Sequence, residues 1–163
     1  MLTFQDLYAS YAADIYRFAF WLSGDSHDAE DITSETLIRA WVKFDKIRTE
    51  TLKAYLFTIA RNIYLESKRN TLENTTLYDI HPDPNPGPEQ QAELQSEIND
   101  VQIFLQMLPE IDRTAFIMRV QQEMPYAEIA RVLGISLSAA KVKVHRVRRR
   151  LIAINLTREE VLE

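Results

Sequence analysis

Apolar residues recur at intervals of three and four along residues 4–22, 29–44 and 52–63. This spacing puts one apolar stripe on each of three amphipathic helices, whereas the alternation typical of strands is scarce. The segment 23–26, SGDS, separates the first two stripes with a glycine and two possible helix caps, Asp25 and Ser26. Three such helices can close a small bundle of about seventy residues. The predicted stripes include the aromatic residues Phe4, Tyr8, Trp41 and Tyr55.

The same helical period returns in residues 98–108, 111–120, 126–133 and 137–151. Pro109 and Pro125 stand where two of these helices would begin, a position at which proline is favoured. The pattern therefore predicts a second, smaller helical domain.

The stretch between the two groups of helices is acidic and rich in proline. Residues 73–100 carry seven acidic and no basic side chains. Prolines spaced by two deny the backbone the donors and dihedral angles of a helix, so we expect about residues 70–90 to be extended. The segment is either a solvated spacer or an acidic mimic of nucleic acid inside a basic channel of a partner. The four prolines are Pro82, Pro84, Pro86 and Pro88.

Together these patterns predict an all-α protein of two small helical domains joined by a flexible, acidic, proline-rich linker. We expect the first domain in residues 1–70, the linker in 71–97, the second domain in 98–154 and a tail in 155–163.

Residues 125–151 have the spacing of a helix-turn-helix. Gly134 supplies the left-handed residue that ends the first of its helices, and Ser136 caps the second. Apolar residues that recur on one side of the second helix form the seam that packs on the domain. These are Ala140, Val144, Val147 and Leu151.

Six lysine or arginine residues fall within residues 140–150, AKVKVHRVRRR, although the chain has a formal net charge of −5. They surround most of the helix outside its apolar seam, which suits a groove walled by phosphates. A solvated helix end is the alternative, but the helix dipole accounts for one or two cations rather than six. We therefore expect this helix to bind DNA. The expected base readers are Ser138, Ala139, Lys141, Val142 and Arg146, with Arg148, Arg149 and Arg150 on the DNA backbone and Lys143 and His145 flanking the seam.

The composition argues against several kinds of active site. The chain has no cysteine and three scattered histidines, so we expect no disulfide, no metal and no cofactor. The carboxylates Asp28, Glu30 and Asp31 lack histidine or thiolate partners, and the start of a capped helix explains them better than a catalytic cluster. Residues 1–22 are interrupted by three charges and are neither a signal peptide nor a membrane span. We expect a cytoplasmic protein with no direct membrane insertion, no catalytic residues and no small-molecule substrate.

Four segments together resemble one protein family. They are DAEDITSETLIRAW (28–41), AYLFTIARNIYLESKR (54–69), LPEIDRTAFIMR (108–119) and YAEIARVLGISLSAAKVKVHRVRRRL (126–151). In order and spacing, these segments resemble the extracytoplasmic-function (ECF) group of bacterial sigma-70 factors, which retain only regions 2 and 4 of that family. The resemblance covers residues 4–151.

The resemblance implies that the first domain is region 2, which binds the clamp helices of the largest RNA polymerase subunit and opens the minus-ten element. The second domain is then region 4, which binds the flap of the second-largest subunit and reads the minus-thirty-five element. On the second helix, the residues opposite the core stripe are the implied polymerase contact. The alternative is a helix buried on both sides, whose acids serve its N-terminal dipole. The contact residues are Asp31, Glu35, Ile38 and Val42.

The resemblance also places a DNA-opening surface on the loop at 44–53 and on the third helix. A melted strand needs cations along its backbone and a pocket for an unstacked base. Tyr55 is able to stack on such a base, but its place in the apolar stripe favours a core position. The implied residues are Lys46, Arg48, Lys53, Arg61, Asn62, Lys68 and Arg69.

Two departures from the family pattern concern Glu66, which stands where the family usually has Asp, and Ala139-Ala140, which replace a more usual Thr-Val. The second departure leaves the preferred promoter sequence open.

We expect no C-terminal regulatory domain and therefore control by an anti-sigma factor, often membrane-bound in this family, which would hold the protein at the inner membrane face. The alternative is a helix-turn-helix regulator that acts without polymerase, which would bind an operator alone and often dimerise.

Overall fold

The computed structural model describes residues 2–43, 52–73 and 89–162, and all regular secondary structure in these ranges is helical, as predicted. None of the helices in this part of the chain is long and apolar enough to span a membrane. The helices are α1 (Phe4–Ser23), α2 (Ser26–Val42), α3 (Leu52–Glu73), α4 (Glu89–Met107), α5 (Glu110–Val120), α6 (Tyr126–Leu133) and α7 (Leu137–Leu162). We call α1–α3 the N-terminal bundle and α4–α7 the C-terminal bundle.

The turn between α1 and α2 follows the predicted punctuation. Gly24 adopts a φ of 75° and ends α1. Asp25 is the cap of α2, because its carboxylate accepts hydrogen bonds from the backbone N–H groups of His27 at 2.8 Å and Asp28 at 3.0 Å. Of the two predicted candidates, Asp25 is therefore the N-cap residue.

The core of the N-terminal bundle forms where the three predicted stripes meet. The rings of Phe18 and Phe57, both fully buried, lie 4.7 Å apart. The buried hydroxyls of Thr33 and Thr36 donate to backbone carbonyls four residues earlier, each at 2.6 Å. These hydrogen bonds remove the penalty of burying two polar groups in the stripe of α2.

Three aromatic residues of the predicted stripes lie at the rim of the bundle instead of in its core. Phe4 and Trp41 pack edge to face with centroids 5.8 Å apart and stay partly exposed. Tyr8 is 57% exposed and lines an open groove between α1 and α2. Tyr8 therefore lies outside the core, because the apolar stripe on α1 is wider than the surface that the neighbouring helices cover.

The helix-turn-helix forms as the sequence predicts. Gly134 has a φ of 65° and ends α6. Ser136 precedes α7 and accepts a hydrogen bond from the backbone N–H of Ala139 at 3.0 Å. The predicted seam of α7 faces the core, with Ala140, Val144 and Val147 buried.

Helical structure extends into both segments predicted to lie outside the domains. Helix α3 continues to Glu73 and α4 begins at Glu89, inside the predicted linker, while α7 continues to Leu162 through the predicted tail. From Glu89 onward the sequence EQQAELQSE consists largely of good helix formers, and the last proline has been passed. The remaining linker residues lie outside the described part of the chain.

The two bundles pack against each other around one continuous apolar core. Two of the last carbonyls of α1 accept hydrogen bonds from side chains of the other bundle, and the Phe20 carbonyl also accepts one from the Gly24 N–H at 2.8 Å. Gln102 Nε2 donates to the Phe20 carbonyl at 3.2 Å, and Gln106 Nε2 donates to the Leu22 carbonyl at 3.0 Å. The C-terminal bundle therefore caps a helix of the N-terminal bundle.

Because Gly24 has no Cβ atom, Gln102 and Gln106 can approach the end of α1 closely. A Cβ atom at Gly24 would lie 3.1 Å from Gln106 Nε2 and 3.3 Å from Gln102 Oε1. At Gly134, which has a similar φ, the described residues bring no atom within 4 Å of a Cβ.

We predict that Gly24→Ala and Gly134→Ala each lower the free energy of unfolding by about 1–2 kcal/mol through backbone strain. Gly24→Ala should cost more, because the two glutamines must also move away from the α1 carbonyls. Urea unfolding of both variants measures the difference. In a Gln102→Ala/Gln106→Ala background the excess should disappear, and equal costs in the native background would contradict this packing.

Candidate nucleic-acid interface

The outer surface of α7 is basic and open. Lys141, His145 and Arg146 are exposed, and so is Val142 at 46%. Within residues 96–155, no carboxylate lies within 4 Å of these cations or of the three consecutive arginines that follow. The surface therefore keeps its positive charge available. The arginines, all exposed, are Arg148, Arg149 and Arg150.

Lys143 differs from the other predicted DNA-contacting cations. Its Nζ lies 3.1 Å from Asp112 Oδ1, and only 25% of its side chain is exposed. The pair joins α5 to α7 and fixes the orientation of the basic helix.

Two of the predicted base readers lie at the start of α7. Ala139 is half-buried, whereas Ser138 is exposed beside it.

The turn that leads into the helix-turn-helix is held by Arg119. Its guanidinium lies 4.4 Å from the centre of the Tyr126 ring, and its Nη1 donates to the Met124 carbonyl at 3.1 Å. Glu123 between them has a left-handed φ of 54°. These contacts fix the angle between α5 and α6, on which the position of α7 depends.

The predicted polymerase-contacting side of α2 points away from the core. Ile38 is 53% and Val42 77% exposed, Asp31 is exposed and Glu35 is half-buried. The alternative of a helix buried on both sides is therefore wrong. Large apolar side chains beside carboxylates on an open surface are typical of a contact site.

A groove of about 430 Å³ between α2 and α3 runs beside this patch and includes Asp31, Glu35 and Ile38. Asp28 also lines it, and burial together with the neighbouring Asp25 carboxylate raises the pKa of Asp28. Arg39 closes the adjoining edge, because it donates to Glu35 Oε1 at 2.9 Å and to Glu66 Oε2 at 3.4 Å. The Glu66 carboxylate thus helps to hold α2 on α3.

A second groove, of about 290 Å³, also lies between α2 and α3, where it begins at Ile38 and continues toward the N-terminal half of α3. Asn62 lines it together with Val42 and Tyr55. Tyr55 is half-buried and also borders a groove next to α6, so its predicted core position was wrong. The structure thus brings Tyr55 and Asn62 together, while Arg69 is exposed further along α3.

Three of the predicted minus-ten cations lie on one stripe of α3, spaced by seven and eight residues. Lys53 Nζ donates to the Gln122 carbonyl at 3.4 Å, and Lys68 lies over the ring of Tyr64 at 5.6 Å. Arg61 forms a bidentate pair with Glu110, with Nε 2.6 Å from Oε1 and Nη2 2.9 Å from Oε2. In this arrangement, the C-terminal bundle occupies Arg61 and Lys53.

Lys46 and Arg48, predicted on the same surface, lie outside the described residues. The structure therefore gives no position for the loop that the family resemblance placed beside the DNA.

Two polar residues of α5 that contact the N-terminal bundle, Arg113 and Glu110, were not predicted from the sequence. Arg113, 6% exposed, donates from Nη1 to the Leu22 carbonyl at 2.6 Å and to Tyr64 Oη and Gln106 Oε1, each at 3.0 Å. Helical periodicity gives no signal for a buried arginine, since arginine is ordinarily exposed. Glu110, directly after Pro109, carried only the signal of an acid in the first turn of a helix.

Family models for the two halves of the chain match. The model "Sigma-70 region 2" matches residues 7–71, and "Sigma-70, region 4" matches residues 99–151. Together they cover most of the sequence, so the chain belongs to the sigma-70 family of transcription initiation factors.

Within that family it is an RNA polymerase sigma factor of the ECF group. The chain is 32% identical over 156 residues to the ECF RNA polymerase sigma factor SigE of Mycolicibacterium smegmatis, covering 93% of this chain and 61% of that protein. It is 27% identical over 158 residues to SigM of Bacillus subtilis, covering 94% and 95%. The sigma factor RpoE of Bartonella quintana, solved in complex with the anti-sigma factor NepR, superposes with a TM-score of 0.72 at 28% identity, covering 91% and 93%.

We predict that the pair between Arg61 and Glu110 makes stability depend on acidity. Burial opposes ionisation of Glu110, but hydrogen bonds from Arg61 and Thr114 outweigh it and hold its pKa below the usual 4.5. A carboxyl with a lowered pKa stabilises the fold above 4.5 and loses this contribution as the pH falls through its folded value. Glu110→Gln should therefore lower stability at neutral pH and make the loss below about pH 4.5 shallower.

Urea unfolding at a series of pH values measures this effect, with Glu30→Gln on the exposed surface of α2 as the control. Parallel stability curves for the native protein and Glu110→Gln would show that the ionisation of Glu110 contributes nothing to stability.

Proposed function

We propose that this ECF sigma factor binds core RNA polymerase, directs it to specific promoters and helps to open the DNA there. The observation that carries the proposal is the basic surface of α7, which stays free of ion pairs over Lys141, Arg146 and Arg148–Arg150 within the described residues while the opposite side of the same helix is buried. Such a helix, projecting from a helix-turn-helix, fits the major groove.

In region 4, we assign α7 to the minus-thirty-five element. Ser138, Ala139, Lys141, Val142 and Arg146 lie toward its N-terminal half, which enters a major groove first, and they are the proposed base readers. His145 and Arg148–Arg150 are then proposed to contact phosphates. Because Lys143 is paired with Asp112, its proposed part is to orient the helix as well as to add charge.

In region 2, we assign the exposed patch on α2 to the clamp helices of the polymerase. The patch combines two large apolar side chains with Asp31 and Glu35, which suits a partner surface that is apolar and basic. The flap of the second-largest subunit is the proposed partner of region 4.

The minus-ten element is assigned to α3 and the loop before it. Asn62 and Tyr55 line one groove, where a base taken out of the stack can be held by an aromatic ring and a hydrogen-bonding amide. Lys46, Arg48, Lys53, Arg61, Lys68 and Arg69 are the proposed cations along the strand.

We further propose that the protein acts in the cytoplasm under an anti-sigma factor. The support is that the Bartonella relative, with which this chain shares its fold over nearly its whole length, was solved with such a partner. No catalytic residue and no cofactor take part in this function.

Run-off transcription with purified core polymerase and a genomic promoter library tests the proposal, because a regulator that acts without polymerase does not initiate. We predict that the native chain initiates and that Asp31→Lys/Glu35→Lys loses core binding while its far-UV helicity persists. As a control, Glu30→Lys makes the same charge change as Asp31→Lys alone at another exposed position of α2, and this variant should bind normally. Equal binding by the two variants would remove the patch from the polymerase contact.

We predict that neutralising Arg148, Arg149 and Arg150 with glutamine weakens promoter binding by the holoenzyme nearly equally for all sequences. The logarithmic salt dependence should flatten by roughly 0.9 per lost phosphate contact. Affinity for a panel of minus-thirty-five variants at several salt concentrations provides the measurement.

In the same panel, Val142→Ala and Arg146→Ala serve as the contrasting variants, since they should change which sequences are preferred, by about 1–3 kcal/mol per lost base contact. A salt dependence unchanged by the triple substitution would mean that these arginines do not touch DNA.

A further inference from the structure

The groove of about 290 Å³ between α2 and α3 combines apolar side chains with a polar edge on one side of α3. Tyr55, Asn62 and Glu66 are spaced by seven and four residues, so they lie on the same side of this helix. Tyr55 and Ile59 supply a ring and an aliphatic surface, whereas Asn62 and Glu66 are exposed and supply an amide and a carboxylate. A groove of this volume suits a single base rather than a larger ligand.

One carboxylate oxygen of Glu66 is held, and the other is available. Arg39 Nη2 donates to Glu66 Oε2 at 3.4 Å, while Oε1 accepts no hydrogen bond from any residue that the structure describes. The Arg39 guanidinium is itself fixed, because its Nε donates to Glu35 Oε1 at 2.9 Å. These contacts restrain the Glu66 carboxylate where it lines the groove, with 47% of the side chain exposed.

The length of the Glu66 side chain matters for this geometry. Asp, the usual residue of the family at this position, is one methylene shorter. The extra methylene carries the carboxylate away from the α3 backbone and toward Arg39 on α2. The position of this carboxylate in the groove is therefore a property of this chain.

A carboxylate accepts hydrogen bonds but cannot donate them, so it distinguishes bases by their exocyclic groups. Adenine presents an amino group at N6 and cytosine presents one at N4, whereas guanine and thymine present the carbonyl oxygens O6 and O4 there. A carbonyl next to the free oxygen of Glu66 brings two acceptors together and leaves both without a donor. The groove therefore favours a base with an amino group and rejects thymine and guanine.

Cations near both ends of the groove suit the strand on either side of such a base. Lys43 caps the C-terminal end of α2, is exposed and lines the groove. Arg69 lies one turn beyond Glu66 on α3 and is also exposed. Neither cation lies within 4 Å of a carboxylate in the described ranges, so both are available for phosphates. Their charge also offsets that of Glu66.

We propose that Glu66 selects an unstacked base with an exocyclic amino group, adenine or cytosine, in the groove between α2 and α3, with Arg39 orienting its carboxylate. Lys43 is a further contact to the strand. The inference rests on the function proposed above and deepens it, because it names the class of base that the minus-ten surface accepts.

Fork-junction DNA tests the choice of base, because its minus-ten strand is already single and base identity then acts without a cost of melting. We expect the native holoenzyme to prefer adenine or cytosine over thymine and guanine at one position of the non-template strand, by about tenfold in affinity. The panel of four bases shows which of the two amino bases is selected. Replacing that base by purine or by 2-pyrimidinone, which lack the amino group, should abolish the preference.

Glu66→Gln is the decisive variant. Its amide oxygen still accepts from Arg39, and its amide nitrogen turns a donor toward the base, so the preference should shift toward thymine or guanine. Glu66→Asp keeps the carboxylate and should keep the direction of the native preference. Glu30→Gln is the matched control, because it neutralises an exposed carboxylate of α2 that does not line this groove, and it should bind as the native protein does.

Two results would overturn the inference. One is a native holoenzyme that binds fork DNA without distinguishing amino bases from the others. The other is a Glu66→Gln variant that weakens binding equally for all four bases, since this would give the contact between Glu66 and Arg39 a structural role only. A native chain that forms no holoenzyme, or a holoenzyme that binds no promoter DNA, would instead refute the proposed function and this inference with it.

Discussion

The first turn of α5 forms polar contacts with three other helices, α1, α3 and α7. Within four residues, Glu110 pairs with Arg61 of α3, Asp112 pairs with Lys143 of α7, and Arg113 donates to the end of α1. A buried guanidinium without a carboxylate partner is unfavourable unless oxygen atoms surround it, and here a carbonyl, a phenol and an amide do so. This turn therefore depends on the N-terminal bundle and, through Lys143, sets the orientation of the basic helix.

The two DNA-facing surfaces differ in what covers them. The basic side of α7 is open, whereas the stripe of α3 that carries Lys53 and Arg61 faces the C-terminal bundle. A free sigma factor of this form presents its proposed minus-thirty-five reader while its proposed strand-holding cations are occupied. The patch on α2 lies on a different side of α2 from its core stripe and is exposed, so a partner can reach it without any change in how the two bundles pack.

Much of this structure was predictable because it follows from local rules. The period of apolar residues predicted α1–α3, α5–α7 and the second half of α4. Gly24 and Gly134 ended helices at a left-handed φ, and the outward position of Ile38 and Val42 followed from the stripe on α2. Tyr55 was misplaced because periodicity cannot tell how far a neighbouring helix extends over a stripe. The pair between Arg61 and Glu110 could not be predicted for a different reason. It depends on how the two bundles pack against each other, and the apolar stripes within each bundle carry no information about that packing. The burial of Arg113 has the same origin.

The central claim is that the exposed basic side of α7 binds promoter DNA while the first turn of α5 holds that helix in place. The most direct measurement is photo-crosslinking from a reactive side chain placed at position 142, where Val142 is exposed on α7, in holoenzyme assembled on promoter DNA. The account predicts crosslinks to bases of the minus-thirty-five element. A transcriptionally active holoenzyme that crosslinks only elsewhere would contradict it.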